Sequence, residues 1–298
     1  MPPWISRLAL PLFLLVACTT PPQAGTAVPQ AYSLPRTEVL PLTAASNGVD
    51  YQLYVRLPPG YDPANGPYPL LVTLDADYQF ALASAHAEHL GGRGQAPELI
   101  IVSVAYAGDP DDGFAYRTNR TRDYTPANTT EGGYGPDIQA LSGGGPAFAD
   151  FIRNEALPYL EQRFAIDPQD RVFVGHSYGG LFGTWLLSAQ PDLFHRYIFV
   201  SPSLWFKDRM MLDDAQLPGP MPRKTYVYLA VGDWENQPDT GHAMVDDLKA
   251  YADRLAARDD ANLIVKMRVF EDETHASIFP AAFSTGLRHL YLSMDDAP

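Results

Sequence analysis

The segment from Arg171 to Trp185, RVFVGHSYGGLFGTW, restricts the fold of this chain more than any other. It opens with a short apolar run, which predicts a β-strand buried on both faces. Gly175 to Gly179 follow directly and match the pattern G-x-S-x-G, which places a serine on a strained turn between a strand and a helix. We predict that Ser177 is a nucleophile with its hydroxyl exposed above a sheet. The alternative is a serine that only caps the helix.

Elsewhere in the chain, segments whose apolar residues have the pattern of a strand alternate with segments whose apolar residues have the period of a helix. Strands are predicted at residues 38–43, 49–57, 68–74, 99–106, 171–174, 197–200, 225–231 and 263–270. Helices are predicted at residues 78–90, 147–164, 243–257 and 276–292, and a long loop at residues 107–145. Pro158 should bend the second of these helices. The alternation favours one α/β domain with a mostly parallel sheet flanked by helices, an antiparallel hairpin at its start, and strand 263–270 near an edge.

Length and charge narrow the class of protein further. The 298 residues are enough for one large α/β domain or two small ones, and a hydrophobic content of 46% supports a sizeable core. The formal net charge of −14 argues against nucleic acid as a partner, because phosphate backbones are bound by basic surfaces. The sequence contains no cluster of histidine, cysteine and aspartate residues with the spacing of metal ligands, so no metal or cofactor is predicted.

The start of the chain is predicted to lie outside the folded domain. Arg7 precedes an apolar run at residues 8–17 that is too short to span a membrane. A basic residue followed by such a run is typical of a secretory signal peptide, which we place at residues 1–17.

Cys18 is the only cysteine, so no intramolecular disulfide is possible. The sequence LVAC that ends at Cys18 resembles the lipobox of bacterial lipoproteins. This resemblance implies lipid attachment to Cys18 and a periplasmic protein held at the membrane, expected to be the outer one, by that lipid alone. Residues 18–36 would be its flexible tether and residues 37–298 its α/β domain. The alternative is an ordinary signal peptide with a chance cysteine.

The base that Ser177 needs is predicted at His275, since a serine hydroxyl alone is a poor nucleophile. His275 follows the last predicted strand and directly precedes the last helix, which fits the chain order serine, acid, histidine. The alternative is a histidine without a role at a helix start. His176 is expected to point away from Ser177, because neighbouring strand residues alternate in direction. The other histidines are expected on the surface or in packing: His86, His89, His195, His242 and His289.

The acid that orients His275 should follow the predicted strand 225–231. Glu235 and Asp233 both lie in the loop after this strand, and we prefer Glu235. Asp239 is a third, weaker candidate. A further alternative is that both loop carboxylates only cap the turn and that a serine–histidine pair acts without an acid.

Stabilisation of a developing oxyanion needs two backbone N–H groups aimed at one point. One is predicted at Tyr178, the residue after the nucleophile. The other is predicted in the turn after strand 68–74, at Asp77 or at Ala76.

Several pieces of the chain resemble one family of enzymes. They are LDAD at 74–77, RTRDYTP at 120–126, GHSYGGLF at 175–182, SPSLW at 201–205 and ETHASI at 273–278. They resemble the putative-esterase branch of the α/β hydrolases, which includes esterase D-like enzymes, feruloyl esterases, mycolyltransferases and the enterochelin and salmochelin siderophore esterases. The resemblance implies an α/β-hydrolase fold and hydrolysis of carboxylic esters through an acyl-enzyme. RTRDYTP and SPSLW are most similar to the siderophore esterases, whose small-molecule substrates are trilactone esters.

Three residues of these pieces are candidates for substrate binding. Arg120 and Arg122 would face an anionic group, and the alternative is that Arg122 forms an internal ion pair with Asp123. Trp205 either walls an acyl pocket or covers the end of the sheet.

The resemblance leaves other functions open beside siderophore ester hydrolysis. One is a feruloyl or acetyl esterase, or an acyltransferase of the same fold. Another is an anchored binding lipoprotein that has no catalytic activity.

Overall fold

The computed structural model describes residues 31–237 and 242–292. The predicted signal peptide, Cys18, most of the tether and Asp239 lie outside the described residues. From Leu34 onward the chain forms one compact unit. No helix in the described ranges has the length and apolar character needed to cross a bilayer.

Strands and helices alternate along most of this unit. The strands are β1 (Thr37–Thr43), β2 (Asp50–Arg56), β3 (Tyr68–Thr73), β4 (Ile100–Tyr106), β5 (Ile166–His176), β6 (Arg196–Val200), β7 (Thr225–Gly232), β8 (Asn236–Gln237), β9 (His242–Ala243) and β10 (Leu263–Phe270). The helices are α1 (Ala76–Gly91), α2 (Gly113–Asp123), α3 (Pro136–Gln139), α4 (Gly145–Phe151), α5 (Leu157–Glu161), α6 (Tyr178–Ala189), α7 (Phe206–Arg209), α8 (Met244–Ala256) and α9 (Phe279–Tyr291).

The main sheet has eight strands in the order β1-β2-β4-β3-β5-β6-β7-β10. β1 pairs antiparallel with β2, with Leu40 opposite Leu53, and β2 pairs antiparallel with β4. The strands from β4 to β10 in this order are all parallel. The predicted opening hairpin, the mostly parallel sheet and the edge position of strand 263–270 are therefore confirmed.

Helices cover both faces of the sheet, as expected for parallel strands that are apolar on both sides. α1 and α9 pack on one face through residues such as Phe80 and Phe283. α4, α6 and α8 pack on the other, through residues such as Phe148, Phe182 and Tyr251. The carboxyl ends of the parallel strands remain uncovered by these helices, which is where sites form in such sheets.

The long loop predicted at residues 107–145 is wrong in part, because α2 and α3 lie within it. α2 has a polar sequence, GFAYRTNRTRD, and lacks the apolar stripe that predicts a helix. It is stabilised instead at its start, where the Asp112 carboxylate accepts hydrogen bonds from the N–H groups of Phe114 and Ala115.

The helix predicted at residues 147–164 is divided by a π-helical turn. α4 leads into this turn at Ile152–Ala156, and α5 follows it with Pro158 in its first turn. Proline cannot donate a backbone hydrogen bond and crowds the preceding turn, so the widened turn accommodates it. The single helix predicted here is therefore wrong in part, because the helix type changes just before Pro158.

Candidate active site

Ser177 lies on the turn between β5 and α6, as the G-x-S-x-G pattern predicts. Its backbone has φ 59° and ψ −121°, a conformation that is costly for any residue with a side chain. Neighbouring strands hold it there, because its N–H bonds to Val200 O at 3.0 Å and its carbonyl accepts from Ser203 N–H at 3.1 Å. A methyl group added to Gly175 would overlap the carbonyl of Gly179, so the turn requires glycine at that position.

Ser177 opens into a cavity of about 540 Å³ at the carboxyl ends of the parallel strands. Its described lining residues are Gly133, Tyr134, Ser177, Tyr178, Ser203, Trp205, Trp234, Glu235, Met244, Thr274, His275 and Ala276. They are contributed by the segments after β5, β6, β7 and β10, by the start of α8, and by the segment between α2 and α3. The Ser177 hydroxyl lies 3.4 Å from the hydroxyl of Ser203.

Glu235 and His275 form a short contact in the wall of this cavity, with Oε2 of the glutamate 2.6 Å from Nδ1 of the imidazole. The other carboxylate oxygen, Oε1, accepts hydrogen bonds from Ser201 Oγ at 2.6 Å and from the Gly232 N–H at 2.7 Å. Glu235 is only 4% exposed, and these bonds fix both of its oxygens. An Nδ1–H that donates to Oε2 leaves Nε2 of His275 as the proton acceptor.

Asp233, the alternative acid, has a different environment from Glu235. Its side chain is exposed to solvent, whereas Glu235 is buried against His275. Both residues lie in the short 3-10 turn that follows β7, and the turn directs one carboxylate inward and the other outward. Of these two carboxylates the structure places only that of Glu235 in contact with the imidazole.

His176 lies behind His275, although alternation predicted that it points away from the site. The two imidazole rings are 4.6 Å apart, and His176 Nδ1 is 3.2 Å from the Tyr78 hydroxyl. Burial, and then the neighbouring His275 and Arg120, hold the pKa of His176 well below its ordinary value. His275 approaches the ring of His176 from a distant segment of the chain, which alternation along one strand could not predict.

Arg120 does not face the cavity, which corrects the prediction that it binds an anionic group of the substrate. It is 3% exposed, and its Nε and one terminal nitrogen bond to the two oxygens of Asp75 at 2.6 and 3.1 Å. The remaining terminal nitrogen donates to the Tyr134 hydroxyl at 2.9 Å. Although burial alone would lower the pKa of Arg120, the Asp75 carboxylate raises it above its ordinary value.

Arg122 forms the internal ion pair that was its alternative. Its Nε and a terminal nitrogen donate to the two oxygens of Asp123, each at 2.8 Å. Asp123 also accepts a hydrogen bond from the Tyr51 hydroxyl at 2.8 Å, so the pair fastens the end of α2 to β2. Trp205 lines the cavity, whereas the adjacent Phe206 is fully buried in the core.

The backbone N–H groups predicted to bind an oxyanion lie at the starts of two helices. Tyr178 begins α6, and Ala76 and Asp77 begin α1. The first N–H groups of a helix have no acceptor within it, and no side chain caps α1. The two helix starts lie close together. Gly179 is in the first turn of α6 and Leu74 just precedes α1, and a methyl group on Gly179 would lie 3.4 Å from a side-chain carbon of Leu74.

Two residues that support the site had no predicted role. Ser201, within the SPSLW piece, bonds to Glu235, and its φ of 44° places its backbone in the left-handed region. Asp75, within the LDAD piece, is the buried partner of Arg120. Both lie in segments that resemble the putative-esterase branch, and this resemblance is the one sequence feature that could have pointed to them.

The fold and this cavity define an α/β hydrolase, and comparison with known proteins identifies its family. Residues 44–289 match the family model described as Putative esterase, and the chain therefore belongs to this family. It is a carboxylic ester hydrolase.

Named relatives span most of the chain. The ferri-bacillibactin esterase BesA of Bacillus subtilis is 27% identical over 269 residues, which are 87% of this chain and 90% of the relative. The siderophore triacetylfusarinine C esterase of Aspergillus fumigatus is 28% identical over 253 residues, 74% of this chain and 81% of the relative. The crystal structure of the BES protein from Bacillus cereus is similar with a TM-score of 0.77 at 26% identity, covering 90% of this chain and 100% of that one.

Proposed function

We propose that this chain hydrolyses ester bonds of siderophores through an acyl-enzyme formed on Ser177. The observation that carries this proposal is the 2.6 Å contact between Glu235 Oε2 and His275 Nδ1 in the cavity into which Ser177 opens. Nucleophile, acid and base, which are Ser177, Glu235 and His275, follow one another in the chain order expected for this fold.

In the acylation step the Ser177 oxygen attacks the ester carbonyl carbon, and His275 Nε2 takes the hydroxyl proton. The carbonyl electron pair moves to its oxygen, where the N–H groups of Tyr178 and of Ala76 or Asp77 stabilise the charge. Collapse of this intermediate expels the alcohol, which receives the proton from His275. Water then attacks the acyl-enzyme by the same route and releases the acid and Ser177.

Glu235 supports this cycle by orientation and by charge. Its Oε2 keeps the imidazole in the tautomer with a proton on Nδ1, and its carboxylate stabilises the imidazolium that forms in the transition state. The bonds from Ser201 and Gly232 hold the glutamate in place, so it needs no rearrangement during the reaction.

The siderophore substrate is supported by two relatives that are siderophore esterases and by the volume and lining of the cavity. A volume of about 540 Å³ lies within the range that accommodates a small organic molecule. Tyr134, Tyr178, Trp205 and Trp234 line it, and aromatic walls of this kind suit an aromatic or apolar acyl group.

A decisive experiment uses Ser177→Ala with Ser188→Ala as its matched control. Ser188 lies on the same helix, α6, and its hydroxyl donates to Thr184 O at 3.4 Å. We expect Ser177→Ala to lose two activities, the hydrolysis of a catecholate trilactone and labelling by a fluorophosphonate. Mass spectrometry of the linear products measures the hydrolysis. Ser188→Ala should retain both. Turnover by Ser177→Ala would overturn the proposed acyl-enzyme. A wild-type enzyme that is labelled by the fluorophosphonate but does not hydrolyse the trilactone would overturn the proposed substrate.

We also propose that the enzyme is a periplasmic lipoprotein anchored through Cys18, at the outer membrane. The proposal is supported by the short apolar run before Cys18 and by its LVAC sequence. Incorporation of a labelled fatty acid into wild type, and its loss in Cys18→Ser, is the expected result. Equal labelling of both would contradict it.

A further inference from the structure

The cavity at Ser177 is poor in positive charge. Its described lining residues include the carboxylate of Glu235 and no lysine or arginine. The undescribed residues 238–241 are Pro, Asp, Thr and Gly, so they add no cationic side chain. Lys207 lies two residues after Trp205 and is exposed, but it is not among the described lining residues.

Two of the three arginines of α2 are already neutralised, and the third, Arg117, is exposed and is not among the described lining residues. Arg120 is buried and binds both oxygens of Asp75, and Arg122 binds both oxygens of Asp123. An anionic group of a substrate could bind Arg120 or Arg122 only by displacing its carboxylate partner, which would leave that carboxylate buried and unpaired.

Acidic residues adjoin the lining residues along the chain. Asp233 precedes Trp234, and Glu273 precedes Thr274. Glu131 and Asp137 flank the segment that contributes Gly133 and Tyr134, and both are exposed. With a chain charge of −14, the field at the cavity mouth is expected to repel anions.

We infer that this site selects uncharged or cationic esters over anionic ones. The inference rests on the proposed function and specifies its substrate class. Three catecholates bound to Fe(III) carry a net negative charge, whereas the iron-free trilactone with protonated phenols does not. The iron-free catecholate ester is therefore the expected substrate, and a ferric siderophore would be accepted only where its complex is not anionic.

The direct test uses p-nitrophenyl esters of short acyl chains that end in a neutral, an anionic or a cationic group, with the rate measured without enzyme subtracted for each. They are p-nitrophenyl butyrate, the p-nitrophenyl monoester of succinate, and p-nitrophenyl 4-(trimethylammonio)butyrate. We expect kcat/KM for the succinate monoester to be lower than for butyrate by about tenfold or more at low salt. The cationic ester should show no such penalty, and added salt should narrow the difference.

A variant that adds positive charge to the cavity should weaken this preference. Ala276 lines the cavity and is exposed, so Ala276→Lys introduces an ammonium without disturbing the core. Ala276→Gln is the control, since it adds a similar side chain without charge. Relative to this control, Ala276→Lys should raise the ratio of succinate to butyrate kcat/KM by about tenfold. Any effect on the catalytic groups cancels in that ratio.

The outcomes separate this inference from the proposed function. Equal kcat/KM for the anionic and neutral esters, or a ratio that is the same in Ala276→Lys and Ala276→Gln, would overturn the inference alone. Turnover of none of the three esters would overturn the proposed function and the inference with it. Faster hydrolysis of the iron-free catecholate trilactone than of its ferric complex is the supporting result with the proposed substrate.

Discussion

The guanidinium of Arg120 binds both carboxylate oxygens of Asp75, at 2.6 and 3.1 Å, and both residues are buried. Asp75 has a left-handed backbone, φ 51° and ψ 53°, and directly precedes the two residues at the start of α1 that are candidate oxyanion donors. Arg120 also bonds to Tyr134, which lines the cavity. One buried ion pair thus joins the oxyanion turn to a wall of the substrate cavity.

Replacement of Arg120 should damage both stability and catalysis. Arg120→Met leaves the Asp75 carboxylate buried without its cation, and removal of one partner from such a pair costs about 3–5 kcal/mol of unfolding free energy. Arg120→Lys keeps the charge but not the two-point contact, so it should lose less stability and lower kcat more than it raises KM. Urea unfolding and steady-state kinetics measure both effects.

The control for this prediction is Arg122→Met. Arg122 is about one-third exposed, and its partner Asp123 keeps the hydrogen bond from Tyr51. The Arg122→Met variant should therefore lose less stability than Arg120→Met, and its kcat/KM should stay closer to that of the wild type. An Arg120→Lys enzyme with unchanged kcat would show that the ion pair does not position the oxyanion turn.

Glu235→Gln should be far more harmful than Asp233→Asn. The amide oxygen of glutamine can still accept from Ser201 and Gly232, but its NH2 group would then face Nδ1 of His275 and favour the wrong tautomer. We expect kcat to fall by about 10³–10⁴-fold with little change in KM. Asp233 is exposed, so Asp233→Asn should change kcat little. A larger loss in Asp233→Asn would reassign the acid.

Stability should decrease as the pH falls below about 6.5, the ordinary pKa of histidine. His176 has a pKa well below that value in the folded protein, chiefly because it is buried. The unfolded chain therefore binds a proton that the folded chain does not, and acid favours unfolding by up to about 1.4 kcal/mol per pH unit. Above the unfolded pKa the neutral imidazole costs nothing, and the full stability is present.

The measurement for this pH dependence compares urea unfolding of wild type and His176→Asn between pH 5 and pH 7.5. The free energy of unfolding should depend less steeply on pH in this variant than in the wild type. His195, whose pKa burial lowers to about 4, contributes a similar dependence that the variant retains. Identical slopes in the two proteins would mean that His176 is protonated in the folded state at acid pH.

Trp205→Ala should weaken the preference for aromatic acyl groups. The indole lines the cavity, and its ring lies 5.8 Å from that of Tyr178. Loss of an aromatic contact should lower kcat/KM for a benzoyl ester relative to a butyryl ester by about threefold to tenfold. Trp205→Phe should retain most of the preference, and an unchanged ratio in Trp205→Ala would place the acyl group elsewhere.

Much of the fold could be predicted because its signals are local. The apolar runs of β3, β4 and β7 identify buried strands, and the G-x-S-x-G turn requires a particular backbone at Ser177 that only certain residues allow. α2 could not be predicted in this way, because its polar sequence is held by the Asp112 cap and by the pairing of Arg120 with Asp75.

The sequence by itself determined the α/β architecture, the position of Ser177 at its turn and the candidate acids and base, because each depends on periodicity or on turn chemistry within a few residues. Only the tertiary structure decided which carboxylate contacts His275, that His176 lies behind it, and that Arg120 and Arg122 are paired internally. Except in the pair of Arg122 with its neighbour Asp123, these contacts join residues from different strands and helices. Such residues meet only when the sheet brings its strand ends together, so no local pattern records which partner a charged side chain will find.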